Sequence, residues 1–483
     1  MNALNALNYS LAIPEIFVLS MACLALMADV FFGKAHQKLA YSLTLLTLLI
    51  AVFLSMQFSS ETTQFAFNGL FISDPLSTVL KIFIYVVSFV VLIYSRQYLE
   101  ERNLFKGEYF VLVLFAVLGM MIMVSAANFL PMYLGLELLS LSMYAMVAMY
   151  RDSKQASEAA MKFFVLGAIA SGMLLYGMSM IYGATGSLDH SVISNAITNY
   201  QGEKILLIFG LVFIVAGIAF KLGAAPFHMW APDVYQGAPT AVTMFIGTAP
   251  KLAGFILAFR LLVDALMGLG TDWQQMLIIL SILSIGLGNV VAVAQTNIKR
   301  MLAYSAIAHM GYMLLGLLAG TQNGFAASLF YTLVYTIMTA GAFGVVILLR
   351  NADVESGKEA DQLQDIKGLG KRCPWLAFIM LMLVFSMAGV PPFVGFWSKW
   401  FVLKEIVEVG HLWLAVAAVF FAIIGAFFYL RIVRLMYFDS PEADAEIIAP
   451  TDHKLFLGLN GLVVLALGLM PGILLTVCIA IFS

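Results

Sequence analysis

Apolar runs of about twenty residues follow one another along this chain from end to end, parted by short polar breaks. A bilayer core takes roughly 20 apolar residues per helix, so each run predicts one transmembrane helix. Matching runs to breaks gives fourteen of them: 11–32, 39–57, 76–95, 109–126, 129–150, 161–183, 204–226, 236–263, 273–295, 300–320, 324–349, 375–405, 411–437 and 455–481. Two stretches are too long and are interrupted. Residues 204–237 read KILLIFGLVFIVAGIAFKLGAAPFHMWAPDVYQG, and residues 375–405 read WLAFIMLMLVFSMAGVPPFVGFWSKWFVLKE. At 1.5 Å per residue an unbroken helix of about 31 residues would reach roughly 46 Å, past a core of about 30 Å. The first carries a break from Gly223 to Pro226 and the second from Gly389 to Pro391 and Pro392, so each predicts a discontinuous helix. Paired breaks in corresponding positions point to an inverted-repeat transporter. Two unrelated proline kinks are the plainer alternative.

The pattern divides the chain into three N-terminal helices (1–108), a first five-helix repeat (109–265, helices 4–8), a second, inverted repeat (266–440, helices 9–13) and a last helix (441–483). Residues 351–374 are charged and poor in hydrophobics, and read as a cytoplasmic linker too small to be a domain.

Composition fixes the class. Hydrophobic residues make up 62% of the chain and charged ones 11%, against about 25% charged in soluble proteins. The expectation is an all-α polytopic membrane protein surrounded by lipid. A net charge of -2 gives no basic footprint, which excludes nucleic acid as a partner. Cys23, Cys373 and Cys478 are scattered, so neither a disulfide framework nor a cysteine metal or iron-sulfur site is expected. There is no Walker loop, no dinucleotide fingerprint and no bis-histidine haem pair among His36, His190, His228, His309, His411 and His453. The driving energy must come from an ion gradient or a partner protein.

Eighteen of the 25 lysines and arginines fall in alternate loops, and this positive-inside bias places both termini away from the cytoplasm. The first ten residues carry no positive charge, which speaks against a cleaved signal peptide. Lys204, Arg260 and Lys404 read as the few cations of the opposite side. Lys81 reads as snorkelling outward, Glu15 and Asp29 as lying near the ends of the first helix, and Trp273, Trp375 and Trp413 as interfacial anchors.

Five ionisable residues remain deep in apolar sequence: Glu137, Lys221, Lys251, His309 and Lys399. Each charge there costs roughly 2.5 to 3.5 kcal/mol. A structural ion pair or a snorkelling lysine would be the bland account, and Pro250 beside Lys251 could mark only a kink. Three lysines near mid-span with a single glutamate exceed that account and point to a proton path. Ser305, His309 and Tyr312 fall at i, i+4 and i+7 and form one polar helical face. His309 then reads either as a proton relay or as an ordinary hydrogen-bonded histidine, and so does His228 after Pro226. Moving a carboxylate to within 4 Å of an ammonium is worth about 4 kcal/mol at an effective dielectric of 20. Carrying one proton against 150 mV costs about 3.5 kcal/mol. Changes in a Glu137–Lys221 pairing are therefore large enough to load and unload a proton that passes by Lys251 and His309 toward Lys399.

The run FKLGAAPFHMWAPDVYQGAPTAVT (220–243) followed by TAPKLAGF, with GLELLSLSMYAMVAMY around Glu137, QTNIKRMLAYSAIAHMGYMLLG (295–316) and PPFVGFWSKWFVL around Lys399, resembles the antiporter-like subunits of respiratory complex I. PDVYQGAP is closer to the N branch of that family than to the L or M branches. The resemblance covers nearly the whole chain. It implies a fourteen-helix subunit of a bacterial proton-translocating NADH-quinone oxidoreductase in the inner membrane, with Glu137, Lys221, Lys251 and Lys399 on the proton path. It also implies that flavin, iron-sulfur clusters and quinone sit in partner subunits, with subunit M, subunit K and the lateral helix of subunit L as neighbours. A lysine at 399 fits the N branch, where the M branch is expected to have glutamate. The rival reading is a cation/proton antiporter subunit. Sodium would want about six oxygen ligands, and Glu137 is the one deep carboxylate, so protons are favoured. A non-pumping buttress is a further rival, which leaves the lysine array unexplained.

Overall fold

A segment without polar side chains has only its own backbone to pair its N–H and C=O groups in lipid, so these runs become helices. The computed structural model describes residues 7–32, 37–60, 62–349, 360–441 and 449–483. In chain order they form α1 Ile13–Phe32, α2 Gln37–Gln57, a hairpin of β1 Gln64–Ala66 and β2 Phe71–Ser73, α3 Pro75–Glu101, α4 Gly107–Val124, α5 Phe129–Ala148, α6 Lys154–Thr185 and α7 His190–Thr198. Then follow α8 Ile205–Leu222, α9 Trp230–Gly237, α10 Thr240–Gly247 and α11 Ala249–Phe259, extended by a π-helical turn over Arg260–Ala265. The remainder is α12 Gly270–Val293, α13 Ile298–Leu318, α14 Gln322–Val346, α15 Leu369–Arg372, α16 Pro374–Ala388, α17 Val394–Glu408, α18 Leu412–Tyr437, α19 Thr451–Leu469 and α20 Gly472–Phe482.

Among the described residues, 13 helical segments are long and apolar enough to cross a membrane. The fourteenth expected span is α16 with α17, two half-helices of 15 residues each, separated by Gly389 to Phe393. The other expected break is present too. Helix α8 stops at Leu222, Gly223 takes φ +77°, and the chain resumes in the short α9. Gly389 takes φ +90°, a conformation a side chain would strain. Both breaks contain a cis X-Pro bond, Ala225–Pro226 and Pro391–Pro392.

The chain forms two compact units. One comprises residues 1–89, 104–221 and 249–275, the other residues 90–103, 222–248 and 276–483. In the first unit α4 and α5 approach until backbones touch: a Cβ on Gly119 would meet Leu139 N at 2.6 Å and Gly135 O at 2.7 Å. In the second unit nearly every residue of α13 and α14 is buried, so their polar side chains must find partners inside the protein.

Several sequence expectations fail here, each for a tertiary reason. Lys81 does not snorkel. It is buried with its ammonium 2.5 Å from Glu15 Oε1. Arg260 is no loop cation but is buried at the π turn, and Trp273 is fully buried with its indole N–H donating to Leu266 O, so it anchors no interface. Trp375 and Trp413 are exposed. Lys299, counted with a loop, is 1% exposed and donates to Ala238 O. Of the expected linker 351–374, residues 351–359 lie outside the described residues, as do Lys34, Arg350 and Lys358. The described part is packed: Gln362 pairs with Asn297, and Leu363, Ile366 and Leu369 are buried.

Candidate functional site

In the first unit the side chain of Asn128 caps α5 by accepting from Leu130 N. This starts the helix that carries Glu137 and, one turn on, Ser140. Glu137 accepts a short hydrogen bond from Ser171 of α6. Lys221, in the last turn of α8, donates from Nζ to Ser140 Oγ at 2.8 Å, and the Ser140 hydroxyl in turn donates to Leu136 O at 2.6 Å. The carboxylate and the ammonium are thus each held by a serine, within electrostatic reach of one another. Lys251 is buried in α11, in electrostatic reach of Lys221.

The second unit has its own set. Lys399, in the first turns of α17, donates from Nζ to Met387 O at 3.0 Å and Ala388 O at 2.9 Å, the last carbonyls of α16. Those carbonyls lack helical partners and stand at the negative end of the helix dipole, so the ammonium satisfies both. Lys399 also lies over the Tyr312 ring, 5.4 Å from its centre. His309 is 3% exposed. Its Nδ1 is 2.6 Å from Tyr331 Oη and its Nε2 3.2 Å from Tyr429 Oη, which is 2.5 Å from Ser305 Oγ. Tyr312 donates to Ala418 O and so has its proton committed to backbone. His228 is half-buried beside Tyr304, with no hydrogen-bond partner at Nδ1.

Ser140, Ser171, Tyr331 and Tyr429 escape a reading of charges. Ser140 carried a signal, since it lies three residues from Glu137 and shares its helical face. Tyr331 and Tyr429 come from helices distant in sequence and carried none.

A further cluster of the first unit lies where spans end, at the start of α3 and in the π turn after α11. Asp74 caps α3 by accepting from Ser77 N, and Arg260 binds Asp74 Oδ2 at 2.6 Å and Asp264 Oδ2 at 2.9 Å. Burial pushes the Asp74 carboxyl up, but the Arg260 guanidinium and the Ser77 hydrogen bonds outweigh it and hold it below its ordinary value. Burial, reinforced by Arg260 and opposed by Asp189, pulls the His190 imidazole down to about 3.

Discontinuous helices that place a lysine at each break, with a glutamate and a histidine at membrane depth, define a class of ion-translocating membrane subunit. The family described as NADH:quinone oxidoreductase/Mrp antiporter, TM, matches residues 126–425. NADH-quinone oxidoreductase subunit N of Thiobacillus denitrificans is 57% identical over 99% of this chain and 98% of its own length. Its counterpart in Thioalkalivibrio sulfidiphilus is also 57% identical, over 98% of each. A chain of respiratory complex I from Thermus thermophilus superposes with a TM-score of 0.82 at 31% identity, covering 96% of this chain and 99% of that one. The chain belongs to the NADH:quinone oxidoreductase/Mrp antiporter membrane family, on its subunit N branch, whose members are proton-translocating subunits of NADH-quinone oxidoreductase.

Proposed function

We propose that this chain carries protons from the cytoplasm to the periplasm through Glu137, Lys221, Lys251, His309 and Lys399, driven by quinone reduction elsewhere in the complex. The observation that carries this reading is the state of the two lysines at the helix breaks. Lys221 rests on a serine hydroxyl and Lys399 on two backbone carbonyls, none of them a carboxylate. A carboxylate would hold the proton firmly, whereas neutral partners let a nearby charge decide whether it stays. For Lys221 that charge is Glu137, held in reach by Ser171. Motion that brings the two together favours the loaded lysine, and separation favours release. Ser305 serves as an auxiliary relay beside His309. Tyr312, its hydroxyl committed to backbone, positions Lys399, and His228 stands at a distinct place in the re-entrant stretch.

The chain sits in the bacterial inner membrane with both termini periplasmic, as its loop charges indicate. Flavin, iron-sulfur clusters and quinone belong to partner subunits, and the neighbours are subunits M and K and the lateral helix of subunit L. The five-helix stretches 109–265 and 266–440 are the two inverted repeats. Glu137→Gln keeps the volume and hydrogen-bonding of the side chain and removes its charge. In vesicles containing the complex it should leave assembly and NADH oxidation measurable while proton pumping per NADH falls; unchanged pumping removes the switch from the account. A sodium-dependent flux through the wild type would favour the cation/proton antiporter reading instead.

A further inference from the structure

A half-helix at membrane depth has to be held from outside, because the break beside it leaves backbone groups that lipid cannot satisfy. Helix α17 begins just past the break at Gly389 to Phe393, and three alternate residues of its first two turns each make a polar contact. Gly395 N donates to Ser386 Oγ of α16 at 3.0 Å. Trp397 donates from its indole Nε1 to Gly468 O of α19 at 2.8 Å. Lys399 donates to Met387 O and Ala388 O, again of α16. Positions 395 and 399 are four apart and share one helical face, whereas 397 is about 200° of rotation from either at 3.6 residues per turn. So α16 holds one face of α17 and α19 holds the opposite one.

The grip of α19 is built at its own end. Gly468 lies in the last turn of α19, before Pro471, and its carbonyl is one of the four that have no donor inside the helix. A Cβ at Gly468 would meet Val394 N at 2.7 Å and Phe393 C at 2.8 Å, with Pro392 O nearer still, so the α19 backbone lies directly against the backbone of the break. The Trp397 ring also stacks on Phe401, 5.8 Å between centres, which fixes the direction of its N–H. From Leu455 to Ser483 the chain has no acid, lysine, arginine or histidine, so this last span lacks the side chains that carry protons. We propose that Trp397 is a positioning residue for Lys399 and that α19 is the stop against which it works. The indole bond fixes the rotation of α17 and so keeps the Lys399 ammonium on the α16 carbonyls. This rests on the proton path proposed above. Without the indole bond α17 is held on one face alone, and a turn about its axis withdraws the ammonium from both carbonyls.

The test uses the assembled complex in vesicles and reads protons pumped per NADH across a range of pH. Trp397→Phe keeps an aromatic ring against Phe401 and removes the donor, whereas Gly468→Ala keeps the indole and drives a methyl into the break. Each should lower the ratio toward that of Lys399→Ala and move the pH at which the ratio is half-maximal; a simple loss of stability would scale the ratio alike at every pH. Added to Lys399→Ala, Trp397→Phe should lower the ratio no further, because its effect passes through the lysine. A normal ratio and pH profile in Trp397→Phe while Lys399→Ala is impaired overturns the positioning role and leaves the path standing, as does a further fall when the two changes are combined. Loss of assembly in Trp397→Phe makes the contact structural and overturns the role as well. Should Gly468→Ala prevent assembly, Trp397→Phe decides alone, since it adds no bulk. A normal ratio in Lys399→Ala overturns the path itself.

Discussion

Arg260 carries more of the first unit than its count of one charge suggests. It bridges Asp74 at the start of α3 to Asp264 in its own π turn, both within 3 Å. Removing one member of a buried ion pair costs about 3–5 kcal/mol, because the other charge is left unpaired in low dielectric. Arg260→Leu should therefore speed hydrogen exchange sharply at residues 74–78, and adding Asp74→Asn should recover part of the loss, since that carboxylate is then no longer buried and ionised; no difference between the single and double variants would contradict the pairing. His190 makes a pH prediction. Its folded value of about 3 lies below the ordinary 6.5, so below pH 6.5 the unfolded form binds a proton that the folded form refuses. Stability from this group is complete above about pH 6.5 and drains away as pH falls toward 3. Exchange-corrected protection of α7 should be flat from pH 8 to 6.5 and weaker at pH 5, and His190→Phe should remove that slope. These roles were not legible in the sequence. Arg260 and Lys81 looked like ordinary loop or snorkelling cations because their partners, Asp74 and Glu15, are 186 and 66 positions away.

Helices and their breaks were far more legible than those contacts, because length and hydrophobicity are local properties. The half-helices α16 and α17 and the stop at Leu222 follow from Gly and Pro in apolar runs, as expected. The hairpin β1–β2 and the nine-residue α7 did not announce themselves, being short and set by contacts with their neighbours: Phe71 bridges to Ala126, and Asp189 bridges to Asn128 while capping α7. Glycine positions separate packing from sequence pattern. Gly119→Ala would drive a methyl into backbone atoms of α5 that cannot yield, close to the turn bearing Glu137, and should cost about 1–3 kcal/mol. Gly183→Ala in α6 meets nothing within 4 Å and should be neutral or stabilising by up to about 1 kcal/mol. Thermal unfolding of the purified complex compares the two, and equal effects would contradict the close approach of α4 and α5.

For the whole molecule, lipid and protein interior divide the apolar surface. Phe31, Val30, Ile423 and Phe438 are largely exposed, as a bilayer-facing belt requires, while α13 and α14 are buried on nearly all sides. Within that interior each charge is costly enough that its retention needs a purpose, and the two lysines at the helix breaks are held by a serine hydroxyl and by backbone carbonyls. The central claim is that protons pass through this chain, and the proton-to-NADH ratio of the complex carrying Lys399→Ala tests it most directly. The account predicts a ratio below wild type in vesicles whose complex is fully assembled and still oxidises NADH. A normal ratio in that assembled complex would contradict it and leave this chain a buttress for pumping done elsewhere.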